Sequence, residues 1–286
     1  LSGAITILQP GIYTTVQDEG RRGYAHLGVP ESGAIDKRAM RLGNQLMNNP
    51  EGSAVLEITL VGPTIRFESG THFVLTGSQV TAFLDEVAID VGETAFAKAN
   101  QILSIKKIHP GIRTYLCIAG GLQTEKVLNS RSYYAPLTQA TVVKNQQITL
   151  GKSNYGTSKF TKVRSQKAVT GLKIGVATIP VFRGPEYEAL TTAQREELLN
   201  TIFSISKNWN RMAIQILEPL DNKLKAIRTS PVLPGTVQLT PSGTQIILCN
   251  DCQTTGGYPR ILQVSKKGMQ LLSQMGAGKS LKWELV

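Results

Sequence analysis

Four glycine-rich segments hold the polar side chains in this chain whose types and spacing suit chemistry. The first runs Gln17-Asp18-Glu19-Gly20-Arg21-Arg22-Gly23-Tyr24 and is followed by Gly28-Val29-Pro30-Glu31-Ser32-Gly33-Ala34-Ile35-Asp36. Glycines permit tight turns, and Gln17, Asp18, Arg21 and Ser32 would be displayed around them. A helix starting near Gly33 would point its free N–H groups forward, a seat for a carboxylate or phosphate, with Asp36 close by. The competing reading is an ordered loop in which Asp18 and Arg21 simply pair with each other.

The second segment centres on Glu57, in the apolar stretch Leu56-Glu57-Ile58. Strand alternation sends Glu57 to the side opposite Leu56 and Ile58. There it would face a cleft, where low-dielectric walls raise a carboxylate's pKa and suit it to general-base work. An exposed strand glutamate is the competing reading.

The third segment joins Gly120-Gly121 to Ser130-Arg131-Ser132. The glycines would expose backbone N–H groups, and Ser130, Arg131 and Ser132 would bind an anion, since a guanidinium matches carboxylate or phosphate bidentately. Neither a P-loop nor a dinucleotide fingerprint is present, so ATP binding by this chain alone is not expected.

The fourth segment pairs Gly235-Thr236-Val237-Gln238 with Asn250-Asp251-Cys252-Gln253-Thr254-Thr255-Gly256-Gly257-Tyr258-Pro259. A buried strand running into a polar, glycine-rich turn is how a site at a barrel rim is built, and it would present Gln238, Asp251, Thr254, Thr255, Gly256, Gly257 and Tyr258. The alternative is a hydrogen-bonded Asx-type turn closing the barrel.

The elements that must position these groups are mostly short strands. Alternating or β-branched runs predict strands at residues 5–8, 54–61, 64–67, 72–75, 80–84, 88–91 and 115–118. The same reading gives strands at 173–177, 181–182, 203–206, 212–217, 236–240, 245–248, 261–264 and 280–285. Two helices are expected. One spans about residues 34–47 with Ser32 or Gly33 as N-cap. The other spans about residues 193–202 behind a Thr191/Gln194 capping box. Many short strands with few helices indicate a mainly β protein built of barrels or sandwiches. With 286 residues, 41% of them hydrophobic, two lobes are expected. The division is placed at 1–100 and 101–286, with residues 151–171 reading as a linker.

Net charge is +11, but the basic residues are scattered. Their densest stretch, from Lys152 to Lys173, lacks the interleaved aromatics of a nucleic-acid stacking platform, so nucleic acid is not expected as a partner. No apolar run is long enough to cross a bilayer and no signal peptide is legible, so a soluble cytoplasmic protein is expected. Cys249 and Cys252 form a lone CxxC at the end of an apolar run, while His26, His72 and His109 are dispersed. Packing rather than zinc or redox chemistry is the expectation, and no metal site is assigned.

Taken together, the segments resemble the family of the 5-oxoprolinase C subunit, also known as allophanate hydrolase subunit 2, biotin-dependent carboxyltransferase or KipI antagonist (KipA-like). The pattern QDxGRxGY, GVPxSGAxD, LE and GP is matched between Gln17 and Pro63. GxRxYLxxxGG follows at residues 111–121 and SRS at 130–132. Further on come Gly184-Pro185-Glu186, Arg211-Met212, GTxQ at residues 235–238 and DxQTTGGYP at 251–259. The resemblance implies a cyclophilin-like β-barrel architecture and a KipI-like protein, the B component of such enzymes, as partner, with a possible third component, A. It also implies ATP used by the assembled complex to open 5-oxo-L-proline, with no cofactor held by this chain alone. Asp18, Arg21, Glu57 and Asp251 become the catalytic candidates. Gln17, Ser32, Asp36, Gly120, Gly121, Ser130, Arg131, Ser132, Arg211, Gln238 and the 254–258 turn become the substrate-binding ones. A biotin-dependent carboxyltransferase component and a non-catalytic regulator of a sensor kinase are the alternatives. The chain departs from the pattern near Gln215, near Gln139 and at Gly43-Asn44, where the family commonly has AN.

Overall fold

The computed structural model describes residues 3–138, 141–153 and 175–286. These fall into two compact units, one of residues 3–21 and 32–153, the other of residues 22–31 and 175–286.

The strands of the first unit are β1 (Ala4–Gln9), β2 (Tyr13–Gln17), β3 (Val55–Thr59), β4 (Thr64–Phe67), β5 (Thr71–Gly77), β6 (Val80–Leu84), β7 (Val87–Ala88), β8 (Thr94–Ala97), β9 (Ile102–Ile108), β10 (Arg113–Ile118) and β11 (Gln147–Thr149). They form a six-stranded sheet, β11-β1-β4-β9-β6-β7, and a five-stranded sheet, β2-β3-β10-β5-β8. Alternation explains the layers. Ile5 and Ile7 of β1, Ile65 and Phe67 of β4, Leu56 and Ile58 of β3 and Leu116 and Ile118 of β10 share one buried core between the sheets. The residues in between on β3 and β10, including Val55, Tyr115 and Cys117, turn the other way onto helix α1 (Lys37–Leu46), where Ala39, Met40 and Met47 cover them.

The division expected at residue 100 is corrected. Ala97, Leu103 and Ile105, on either side of it, belong to the same core, so no boundary can fall there without exposing apolar faces of both sheets. Of the expected linker, residues 154–171 lie outside the described residues, as does most of the basic stretch ending at Lys173.

Helix α1 begins later than the sequence suggests. Its N-cap is Asp36, whose carboxylate accepts from the Ala39 N–H, and not Ser32 or Gly33. Those two residues instead hold left-handed conformations, φ 56° and 83°. At Gly33 a Cβ would sit 2.9 Å from the backbone of Glu19, so both the turn and the close approach require glycine.

The second unit contains strands β12 (Ala177–Arg183), β13 (Phe203–Trp209), β14 (Ala213–Ile216), β15 (Ser230–Pro231), β16 (Thr236–Leu239), β17 (Gln245–Leu248), β18 (Thr255–Gly256), β19 (Arg260–Val264) and β20 (Ser280–Leu285). Seven of them close a barrel in the order β12-β19-β16-β17-β14-β13-β20, with β12 and β20 running parallel. Its interior is filled by Ile179, Val181, Phe203, Ile205, Val237, Leu239, Ile247, Leu262 and Trp283, among others. The chain is thus mainly β with a closed barrel. Helix α2 (Thr192–Asn200) carries the expected Thr191/Gln194 capping box. Helix α3 (Lys266–Leu272), N-capped by Ser265, is short and contains Gly268, so no periodicity announces it.

Cys117, Cys249 and Cys252 are buried and joined by no disulfide. Burial pushes the Cys252 thiol up to about 12, helped by the neighbouring Cys249 and Asp251. A thiol so far from thiolate is a packing group. No helix among the described residues is long and apolar enough to cross a membrane.

Glu186, from the GPE motif, is gripped by Arg260 of β19. It accepts from the Arg260 backbone N–H at 2.8 Å and from Nε and Nη2 at 2.9 and 2.8 Å. The guanidinium holds the Glu186 carboxyl below its ordinary value. A depressed carboxylate contributes stability that is present above its unfolded pKa of about 4.3 and is lost as pH falls through the lower folded value. Glu186→Gln is therefore expected to flatten the acid limb of the stability–pH curve below about pH 4.3, as read by denaturant midpoints at stepped pH. An unchanged acid limb would mean that the pair contributes nothing.

Candidate functional site

In the first unit, Asp18 follows the last residue of β2, where Gln17 pairs with Val55 of β3. Its carboxylate collects four donors: Ser130 Oγ and Ser132 Oγ at 2.6 Å each, Gly20 N–H at 2.8 Å and Arg131 N–H at 2.6 Å. The Asp18 N–H in turn donates to Ser132 Oγ. Residues 112 positions apart in the chain are thereby locked together, and the SRS motif is explained by the aspartate it encloses.

Arg21 is almost fully buried and does not pair with Asp18. It donates through Nη2 to the Ser132 carbonyl and through Nε to the Val127 carbonyl. Its role in this geometry is to hold the 127–132 segment from the other side.

Arg131 is anchored by its backbone N–H on Asp18, by Nε on the Leu122 carbonyl at 3.0 Å and by Nη2 on Gln123 Oε1. Two cavities adjoin it. One of about 350 Å³ is lined by Asp18, Gly20, Ser53, Lys126, Asn129 and Arg131. The other, of about 250 Å³, is lined by Val16, Thr124, Val127, Arg131, Val142 and Ile148. Gln123 and Arg131 border both. The larger cavity brings Lys126 and Arg131 to one lining with Asp18, Glu19 and Glu51, so both signs of charge border it.

Gln123, Lys126 and Asn129 were missed in the sequence. The nearest signal is backbone: Leu128 and Asn129 both take left-handed φ, 52° and 64°. Asparagine is a usual occupant of that region, but leucine is not, so the turn has no sequence signature.

Glu57 corrects the expectation of a cleft-facing base. It does lie opposite Leu56 and Ile58, but α1 and its approach cover that face, leaving Glu57 fully buried. Oε2 accepts from the Tyr115 hydroxyl and the Ile35 N–H, both at 2.8 Å, and Oε1 lies 3.9 Å from Arg113 Nε. The Tyr115 oxygen accepts from the Asp36 N–H at 2.8 Å. Burial, then the Glu57 and Asp36 charges, push the tyrosine hydroxyl well above its ordinary pKa, so it stays a donor to Glu57. The group seats the Ile35-Asp36 backbone under α1. Tyr115→Phe removes the bridging oxygen and leaves the Asp36 N–H buried, so it should cost about 1–3 kcal/mol, measured by denaturant unfolding. A loss under about 0.5 kcal/mol would show that the bridge is dispensable.

Other expectations resolve residue by residue. Gly120 and Gly121 do not expose their N–H groups: Gly120 donates to Asn49 Oδ1 and Gly121 to the Ile118 carbonyl. Gln17 is buried beside the same sheet, donating to Thr15 Oγ1, and Ser32 is buried in its left-handed turn. At the altered helix position a Cβ on Gly43 would collide with Cys117 Sγ, while Asn44 donates to the Ser53 carbonyl and accepts from Asn49. Gln139 lies outside the described residues, while Gln215 accepts from Asn208.

In the second unit, Arg211 and Asp251 form a buried two-pronged pair, Nε to Oδ2 at 2.7 Å and Nη2 to Oδ1 at 2.9 Å. Gln238 is buried on β16, and its Nε2 makes no hydrogen bond to the described residues. The 254–258 turn is less a rim of free side chains than a small ladder. Thr255 and Gly256 pair with Pro231 and Ser230, the Thr254 carbonyl accepts from Val232 and the Gly257 carbonyl from Ile227. Tyr258 is exposed. Of the four segments, the first and third meet around Asp18, whereas Glu57 with Asp36 forms a separate buried hub.

The family model described as "Carboxyltransferase domain, subdomain A and B" matches residues 27–285. The chain is 32% identical to the 5-oxoprolinase C subunit of Escherichia coli (strain K12), over 97% of this chain and 89% of that protein. The crystal structure of the Kluyveromyces lactis urea carboxylase superposes with a TM-score of 0.90 at 26% identity, over 99% of this chain and 27% of that one. A protein named TTHA0988 matches in fold, with a TM-score of 0.85 at 24% identity, over 99% of this chain and 56% of that one. The chain thus spans about half of the one solved chain and about a quarter of the other. On the family match and the near-full-length likeness to the Escherichia coli protein, the chain belongs to the carboxyltransferase-domain family that includes the 5-oxoprolinase C subunit.

Proposed function

We propose that this chain is one subunit of an ATP-dependent 5-oxoprolinase-type hydrolase that converts 5-oxo-L-proline to L-glutamate with a KipI-like partner, in the cytoplasm. One observation carries the reading: 32% identity to a 5-oxoprolinase C subunit extends over 97% of the chain. The Asp18 cluster supports it. In the proposed reaction ATP transfers its terminal phosphoryl group to the ring amide oxygen. Water then adds to the ring carbon, the ring C–N bond breaks, and phosphate leaves with L-glutamate. The activated amide is anionic, and Lys126 and Arg131 beside the 350 Å³ cavity are suited to such a group. Asp18 is a positioning residue here, because three of the four donors to its carboxylate lie on the loop that carries Arg131.

A second reading, transfer of a carboxyl group as in a urea carboxylase, is favoured by the family description and by the 0.90 TM-score to the Kluyveromyces lactis enzyme. Co-expression with the KipI-like partner, and with the third component, followed by assay of 5-oxoproline-dependent ATP hydrolysis and glutamate release, tests the first reading. Coupled turnover is expected. Tight assembly without turnover would overturn it in favour of a regulatory role, and carboxybiotin-dependent urea carboxylation would favour the second.

A further inference from the structure

Two large apolar side chains of the first unit stand in solvent beside one hollow. Ile12 is 64% and Val143 55% exposed, and both line a cavity of about 270 Å³ that opens between residues 10–14 and 141–144. Single exposed hydrophobes need no explanation, but two on the rim of one cavity do. Neither belongs to a loose stretch of chain. The Ile12 N–H donates to the Val61 carbonyl at 3.0 Å, and the Thr14 hydroxyl donates to the Pro10 carbonyl at 2.7 Å. A Cβ on Gly11 (φ 75°) would meet that same Val61 oxygen at 2.5 Å, so the loop lies as close to the sheet as glycine allows. On the other side, Val143 opens a tight turn. Its carbonyl accepts from the Gln146 N–H, its N–H donates to Gln146 Oε1, and Asn145 takes a left-handed φ of 65°. Side chains held outward on a fixed backbone lose little freedom on binding, which is what an interface anchor requires.

The charge around this hollow has one sign. Lys144 lines it, and Lys107 lies directly across from Val61. The segments that build the corner, residues 8–14, 60–64, 104–109 and 141–147, contain Lys106, Lys107 and Lys144 and no aspartate or glutamate. A second copy of the chain would set lysine against lysine, so the complementary surface is acidic. We infer that this corner is the docking surface for the protein partner of the proposed assembly. The partner presents an apolar side chain to the cavity and carboxylates to Lys107 and Lys144. An apolar anchor in a pocket with a charged rim is the usual anatomy of a protein interface. The inference rests on the partnered reading above and adds where the partner sits and what it must carry.

The test titrates the full chain with the purified KipI-like partner in a calorimeter, at low and at high salt. Ile12→Asp and Val143→Asp should each weaken the complex at least tenfold. Lys107→Glu combined with Lys144→Glu should weaken it at least tenfold at low salt and remove its salt dependence, since salt screens exposed opposite charges. Val87→Asp, at an equally exposed apolar residue on β7, should change the affinity less than twofold. Hydrogen exchange locates the contact without any variant: amides of residues 11–14 and 141–146 should gain protection in the complex, and those of β7 should not. A tight complex that ignores both aspartates and the lysine reversals, with no protection gained at this corner, would overturn the surface and leave the partnered reading standing. No complex with the wild-type chain would overturn both. A wild-type dimer in sedimentation that Ile12→Asp dissociates would give the face to a second copy. Adsorption to phosphatidylserine vesicles that the lysine reversals abolish would give it to a membrane. Either result overturns the assignment to a protein partner.

Discussion

Asp251→Ala should destabilise the barrel unit by about 3–5 kcal/mol, the range for breaking one side of a buried ion pair. The reason lies in what remains. Arg211 and Asp251 are both nearly inaccessible, and the aspartate supplies both oxygens of a two-pronged contact. Removing it leaves a guanidinium in a low-dielectric site without its counter-charge. The pair also ties two loops, since the Asp251 N–H donates to the Arg211 carbonyl while the Cys249 N–H donates to that of Met212. The measurement is convenient because Trp209 and Trp283 both lie in this unit, with Trp283 donating to Gln245 inside the barrel. Tryptophan fluorescence in denaturant therefore reports barrel unfolding alone. Replacing both partners, Arg211→Met with Asp251→Leu, should recover most of the loss, because two apolar side chains carry no desolvated charge. A single-variant loss below about 1 kcal/mol would show that the pair behaves like an exposed one. In that case Asp251 would return as a candidate for chemistry.

How much could be read beforehand depended on what each residue's partners are. Strands with clean alternation or continuous apolar runs were legible: β4, β6, β17 and β20 have the expected bounds. Strand β2 was missed because Tyr13, Thr14 and Thr15 present polar atoms on both faces, and β9 because Lys106 and Lys107 break its apolar run. Of strand β12 only the part at 181–182 and Ala177 was expected, because Pro180 sits inside it. That proline is tolerated where its carbonyl accepts from Ser265 and its neighbours pair in parallel with β20. Residues 88–91 contribute to a two-residue strand only, since the chain turns at once into the left-handed Gly92.

For the site, residue types were the informative part and their faces were not. Asp18, Ser130, Arg131 and Ser132 were singled out as polar groups that a β protein need not carry, and the structure brings them together. That they meet each other could not be read from spacing, because the two segments are brought together by the sheet pairing of β2 with β3 and of β3 with β10. Glu57 shows the converse. Its side of the strand was legible, but whether that side meets solvent or a helix depends on α1, which arrives from about twenty residues upstream. A strand's period fixes the face, and only the tertiary packing fixes what covers it.

Asp18→Ala should both loosen the first unit and abolish the turnover proposed for the complex with a KipI-like partner. The carboxylate accepts from two hydroxyls and two backbone N–H groups. The two hydroxyls can rotate to other acceptors, but the N–H groups of Gly20 and Arg131 cannot. Leaving two part-buried donors without their acceptor predicts a loss of about 1–3 kcal/mol in all. Tryptophan fluorescence will not see it, since neither tryptophan lies in this unit. Hydrogen exchange will: amides of residues 18–21 and 127–132 should lose protection while β16 and β17 of the barrel keep theirs. Asp18→Asn separates position from charge. Its amide can accept the three donors that now meet Oδ1, but it turns an N–H₂ toward the Arg131 N–H that now meets Oδ2. Protection should fall mainly at residue 131, with turnover reduced to an intermediate level. If Asp18→Ala left both exchange and turnover unchanged, the loop that presents Arg131 would be held by Arg21, through the carbonyls of Val127 and Ser132, and by the bonds of Arg131 to Leu122 and Gln123. The aspartate of the first motif would then be neither structural nor functional. An intact loop with turnover lost would instead place Asp18 in contact with the reacting groups, which its four hydrogen bonds argue against.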